Sequence, residues 1–174
     1  GIPFTLPAPP QLFIDPSLIA AVQKKLIERH VRFPFVAVAP SAAHFFKRWP
    51  LEKWIELFTL MPQTQFVVLA GPQDTFTAEF NQFPHVINLT GQTTLIESAA
   101  VIHLADKVIS NDTGLLHFSE QLGKKTIALM GAAPFGFPSR TTTIILKKDV
   151  PCWPCSKHGQ GPCVNPIFHR CMKD

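Results

Sequence analysis

Tyrosine is absent from the 174 residues, only 16% of them are charged, and no apolar run approaches the roughly 20 residues of a membrane-spanning helix. The missing apolar run excludes a helical membrane span. The opening Gly1-Ile2-Pro3 lacks a basic region leading into an apolar one, so no secretory signal is expected and a cytoplasmic protein is. The net charge of +4 gathers late, in Arg140, Lys147, Lys148, Lys157, Arg170 and Lys173. With no tyrosine and no dense aromatic interleaving around them, these cations do not form the stripe that nucleic acid asks for, and no nucleic-acid partner is expected. A solvated basic face, an anionic ligand or an acidic membrane surface remain as readings.

What is present is apolar: 46% of the chain, enough for one sizeable core but too short for two ordinary domains. An opening Gly without Met, followed by the proline-rich stretch from Pro3 to Pro16, reads as a linker or a cut in a longer chain. The expected organisation is a linker over 1–15, an α/β domain over 16–149 and a cysteine-rich tail over 150–174 packed on that domain.

Asp15-Pro16 supplies an N-cap and a first-turn proline, and Leu18, Val22 and Leu26 recur at helical spacing up to about Arg29. Phe35 to Pro40 is a short apolar run bounded by prolines and predicts a buried strand. After Pro50, the spacing of Trp54, Ile55, Phe58 and Met61 predicts an amphipathic helix. The alternation continues with strands at Gln65–Gly71, Val86–Leu89, Val108–Ser110 and Thr126–Gly131, and helices at Asp74–Asn81, Thr94–Ala105 and Thr113–Leu122, the last closed by Gly123. Thr142–Leu146 adds a candidate edge strand. Strands alternating with helices imply a Rossmann-like parallel sheet with helices on both faces.

Ligands of such sheets sit beyond the carboxyl ends of the strands, where helix starts point free amides outward. The sharpest exit is Ser110-Asn111-Asp112-Thr113-Gly114. Gly114 admits close approach, and the amides of Thr113 to Leu115 suit a phosphate. Asp112 would repel a phosphate, so it is expected to cap amides and fix the turn. An ordinary N-cap without ligand reads the same way. At the second exit, Pro40-Ser41-Ala42-Ala43 is followed by Lys47 and Arg48, either a pyrophosphate-reaching pair or two solvated cations. At the third, Asp74 follows Gly71 and either accepts from a ribose diol or, the better-supported reading, serves as a helix N-cap. His117 faces either the ligand or the sheet.

Taken together, Pro40-Ser41-Ala42 with Lys47-Arg48-Trp49-Pro50, Gly71 with Asp74, Asn88-Leu89-Thr90-Gly91-Gln92-Thr93-Thr94-Leu95, and Ser110 to His117 resemble glycosyltransferase family 9, the heptosyltransferases of lipopolysaccharide assembly. The resemblance runs from about Phe35 to the end and covers only the carboxy-terminal, nucleotide-sugar half of a two-domain GT-B enzyme. It implies an inverting transferase of Gram-negative bacteria with an ADP-heptose-like donor. Lys47 would lie on the diphosphate and stabilise the leaving group, the Asp112-Thr113-Gly114 backbone beside it, Asp74 near the ribose and the Thr93 region near the adenine. Ser41 and His117 complete the implied donor-binding set, and no cofactor is required. The acceptor-binding half would supply the general base and meet the lipopolysaccharide core acceptor, with peripheral contact at the cytoplasmic face of the inner membrane. The chain alone is expected to bind donor without turning it over. Ala42, Ala43, Phe45 and Phe46 stand where the family often has hydroxyl or acidic residues, and Met130 to Pro134 is a loose version of a more polar turn, so the sugar stays open.

All four cysteines lie in the tail: Cys152-x2-Cys155, then Cys163 and Cys171, with His158 and His169 nearby. Four thiols can hold a tetrahedral zinc, although the second pair is not a CxxC; reduced cysteines are the other reading. Two further functions are carried: a non-catalytic nucleotide-binding or metal-stabilised interaction module of the same fold, and a sugar-nucleotide epimerase half, which would bring His44, His117 and Glu120 together at the cleft.

Overall fold

A computed structural model describes residues 12–134 and 136–174. Six parallel strands form one sheet: β1 (Val36–Ala39), β2 (Phe66–Val68), β3 (Val86–Asn88), β4 (Lys107–Asn111), β5 (Lys125–Met130) and β6 (Thr143–Lys147), in the spatial order β3-β2-β1-β4-β5-β6. The register is continuous across the centre, with Val38 opposite Val68 on one side and Ile109 on the other. The chain runs outward from β1 to β3, returns to β4 beside β1, and runs outward again. That reversal is where an open sheet leaves a crevice.

Alternating side chains divide the core. Ala37, Val67 and Val108 face a layer of α1 (Pro16–Glu28) and α3 (Leu95–Leu104), with Leu115 and Phe118 of α4 (Gly114–Gln121) packed against it. Val38, Phe66 and Val68 face Trp54 and Phe58 of α2 (Leu51–Leu60), and Phe80 from a 3₁₀ helix over Thr75–Gln82. Helices therefore cover both faces, as the alternation of elements implies.

The helix ends follow local chemistry. The Asp15 side chain accepts from the Ser17 amide with Pro16 at the first helical position, and Thr94 with Glu97 closes a reciprocal capping box on α3. Two elements lie outside the sequence expectations: a 3₁₀ turn at Phe45–Lys47 and a terminal helix α5 (Arg170–Lys173). Of the stretch read as a linker, residues 1–11 lie outside the described residues. Leu12 donates its amide to the Gln121 carbonyl and Ile14 is buried against the core. The tail returns to the α2 face, where Met172 is buried beside Leu129. Strand β6 is an edge whose Ile144 and Leu146 are exposed. No helix among the described residues is long and apolar enough to cross a membrane.

Candidate functional site

The crevice between the two wings holds a cleft of about 470 Å³. Every strand exit from β1 to β4 contributes to its lining: Ser41 after β1, Gly71 and Asp74 after β2, Thr93 after β3, and Thr113 with Leu115 after β4.

Asp74 anchors one wall. Ser41 Oγ donates to its Oδ1 at 2.5 Å, the Gly71 amide donates to Oδ2 at 3.0 Å, and an Arg48 guanidinium nitrogen stands 3.6 Å from Oδ1. Asp74 stands at the N-cap position of the 3₁₀ helix that follows, as the preferred reading has it, but its carboxylate makes no cap bond there. Its partners come from the β1 and β2 exits instead, and they fix it as an acceptor with lone pairs left for a ligand hydroxyl. Arg48 is held too: its Nε donates to the Ala42 carbonyl at 2.8 Å, and its guanidinium lies 5.7 Å from the Phe76 ring centre.

Asn111 ties the other wall to the first. Fully buried at the end of β4, it donates from Nδ2 to the Pro40 carbonyl at 2.6 Å and accepts the Trp49 amide on Oδ1 at 3.1 Å. One amide side chain thereby fixes the β1 exit against the entry of α2. Thr113 makes no side-chain cap at the start of α4, and a Cβ built on Gly114 would meet nothing within 4 Å. The space beside Gly114 is therefore open, and a helix start leaves its first amides without intrahelical acceptors, which suits an anion.

Asp112 does not cap them. Its carboxylate lies 2.6 Å from Lys47 Nζ, with the two side chains only 6% and 14% exposed. Gly136, at φ +77°, backs this pair so closely that a Cβ there would fall 2.9 Å from Asp112 Oδ1. In place of the amide-capping role expected of Asp112, its carboxylate pairs with Lys47, whose charge offsets the cost of burying it. Lys47 stands next to the cleft, bound to Asp112, and the cation that lines the cleft is Arg48.

Thr93 lines the cleft, with its hydroxyl 2.9 Å from Ser98 Oγ. His117 does not. It is half exposed at the surface, with Nδ1 3.8 Å from the buried Glu120, whose other oxygen accepts the Ser139 and Arg140 amides at 2.9 and 3.0 Å. Histidine and carboxylate therefore meet outside the residues that line the cleft, where the carboxylate holds a loop, although Gly136 lies against both His117 and Asp112, and Gly159 of the tail against both His44 and Lys47. Among the described residues the His117–Glu120 pair forms, but neither residue lines the cleft. The sequence reading missed Ser98 and undervalued Arg48 and Asn111. A buried Asn at a strand end followed by a helix start was the signal available for the last.

Cys152, Cys155, Cys163 and Cys171 line one small cavity as free thiols. Burial, then the neighbouring thiols, pushes Cys171 up to about 11 and raises Cys155. Asn165 Nδ2 donates to Cys152 Sγ at 3.2 Å and the His169 amide to Cys163 Sγ at 3.3 Å. Among the described residues no group of three or more His, Cys, Asp or Glu side chains is already set to hold a metal ion, and the four thiols share one cavity.

The model of glycosyltransferase family 9 (heptosyltransferase) matches residues 7–161. The lipooligosaccharide heptosyltransferase 2 of Campylobacter jejuni is 26% identical over 140 residues, which cover 74% of this chain and 42% of that protein. The protein of the same name from Haemophilus influenzae is 28% identical over 137 residues, covering 70% and 39%. The solved structure of Escherichia coli ADP-heptose lipopolysaccharide heptosyltransferase II matches with a TM-score of 0.69 at 23% identity, over 83% of this chain and 48% of that one. The chain spans about two fifths of the length of the curated relatives it matches, and the structural likeness establishes the shared fold.

Proposed function

The chain belongs to glycosyltransferase family 9, and from that premise we propose that it is the donor-binding half of an inverting heptosyltransferase of lipopolysaccharide core assembly, with ADP-heptose or a near relative as donor. The observation that carries the reading is the single cleft that joins a pre-set carboxylate, Asp74, to the open start of α4. A ribose diol donates to Asp74 while the diphosphate lies against the Thr113–Leu115 amides. The adenine lies toward Thr93 and Leu95, which continue the same wall.

Arg48 and Lys47 supply the positive charge, and the dipole of α4 adds to it. As the glycosidic bond breaks, negative charge builds on the departing diphosphate, where fixed donors stabilise it most. Among the described residues the carboxylates nearest the cleft are already engaged, Asp74 by Ser41, Gly71 and Arg48, and Asp112 by Lys47. The base that deprotonates the acceptor hydroxyl is therefore assigned to an acceptor-binding half. Peripheral contact with the inner membrane belongs to the same proposal, supported by exposed Phe45, Val164, Ile167 and Phe168 beside Arg170 and Lys173.

Titration calorimetry tests this. ADP and ADP-heptose are expected to bind competitively to the chain alone, with no transfer to a lipid-linked acceptor. An absence of binding by both nucleotides would sink the donor site, and transfer by the chain alone would refute the assignment of the base elsewhere.

A further inference from the structure

The tail is the motif that donor binding leaves without a task, and its contacts converge on the turn that carries the site's cations. Gly159 (φ +82°) seats its backbone on Lys47: a Cβ there would stand 2.7 Å from Lys47 Cγ and 3.2 Å from His44 Cβ. Glycine is required twice over, for conformation and for space.

His169 is the stronger link. It is 2% exposed and holds a left-handed backbone, φ 59° and ψ 29°, a conformation uncommon for a residue with a side chain. Its amide donates to Cys163 Sγ at 3.3 Å, inside the thiol cluster, while its ring Nε2 lies 3.4 Å from the Phe46 carbonyl. The ring also packs 5.1 and 5.6 Å, centre to centre, from Phe45 and Phe46. A carbonyl only accepts, so the ring proton that faces Phe46 sits on Nε2.

We propose that His169 is the positioning residue of the donor site: it ties the Phe45–Lys47 turn to the cysteine tail and so sets Lys47 and Arg48 where a diphosphate meets them. The proposal rests on the donor-site reading above. It makes the tail a working part of diphosphate recognition, with Cys163 holding the backbone of the residue that holds the turn.

The test compares ADP with adenosine by calorimetry on wild type, His169→Ala, His169→Gln and His169→Phe, with thermal unfolding alongside. Misplacing a charged group by a fraction of an ångström is expected to weaken ADP binding about tenfold in His169→Ala and leave adenosine nearly unaffected. His169→Gln, which keeps a donor at similar reach, restores most of the loss. His169→Phe keeps the ring packing and removes the donor, so it decides the matter if the alanine variant does not fold. Unchanged ADP affinity in a folded Ala or Phe variant overturns the proposal, as does an equal loss for adenosine. Wild type that binds neither ligand overturns the donor reading itself.

Discussion

Replacing Lys47 tests the donor site and the ion pair together, because the pair separates stability from binding. Lys47→Ala strands the Asp112 carboxylate, whose side chain is 6% exposed. Removing one partner of a buried pair costs about 3–5 kcal/mol, and the residual 14% exposure of Lys47 puts this case at the low end, about 3 kcal/mol. For a domain of this size that is a fall in Tm of about 6–12 °C. Lys47→Met with Asp112→Asn removes both charges and should recover most of that loss, since apolar or neutral replacement of a whole pair is close to neutral. ADP affinity should not recover. A charge-assisted bond to phosphate contributes about 1.5–3 kcal/mol, and Lys47 must give up Asp112 to make it, so the lower figure applies and affinity drops about tenfold. Differential scanning calorimetry reads the first quantity and titration calorimetry the second. A double variant that binds ADP as tightly as wild type would remove Lys47 from the donor site, and an unchanged Tm in Lys47→Ala would show that the pair is not stabilising.

Two further outcomes follow from the titrating groups. The Glu97 carboxyl is held below its ordinary 4.5, first by the Thr94 amide that it accepts at 2.7 Å and with help from Lys25. A depressed carboxyl stabilises the fold above its unfolded value and loses that contribution as pH falls through the folded one, so Glu97→Ala should cost about 1 kcal/mol at pH 7. Urea unfolding should show the gap to wild type narrowing as pH falls below 4.5; a gap independent of pH through the acid range would refute the ionised carboxylate as its source. The Cys171 thiol, pushed up to about 11 chiefly by burial, should be alkylated at pH 8 about two orders of magnitude more slowly in the folded chain than in urea, measured by peptide mass mapping. Equal rates would mean that the thiol is not buried as described.

The fold was legible because its signals are local. Pro34 and Pro40 bracket β1, Asp15-Pro16 opens α1 and Thr94 with Glu97 opens α3, each acting within a few residues of itself. The six strands and the helices between them stand where periodicity puts them. The 3₁₀ turn at Phe45–Lys47 carried no such signal: His44 gives it no cap, and its contacts come from the far end of the chain. The same division runs through the site. Ser41, Asp74, Thr93 and Thr113 could be picked out because each sits at a strand exit, and strand exits follow from the pattern.

What each charged group does there was not legible, because Asp74 and Asp112 each had two plausible partners and only one was near in sequence. Local reasoning assigned both to helix amides. In the folded chain Asp74 turns to the Gly71 amide and to Ser41 and Arg48, and Asp112 to Lys47, side chains that the sheet brings from another strand exit and that charge-assisted hydrogen bonding favours. The cations are in turn placed by the tail, through Gly159 and His169. Position in the cleft is thus set by strand exits, which local sequence encodes. Charge within it is set by contacts with the tail, which come from the far end of the chain. Exchanging the tail should therefore alter affinity for the diphosphate far more than affinity for the nucleoside, which the proposed pose sets against the strand exits alone.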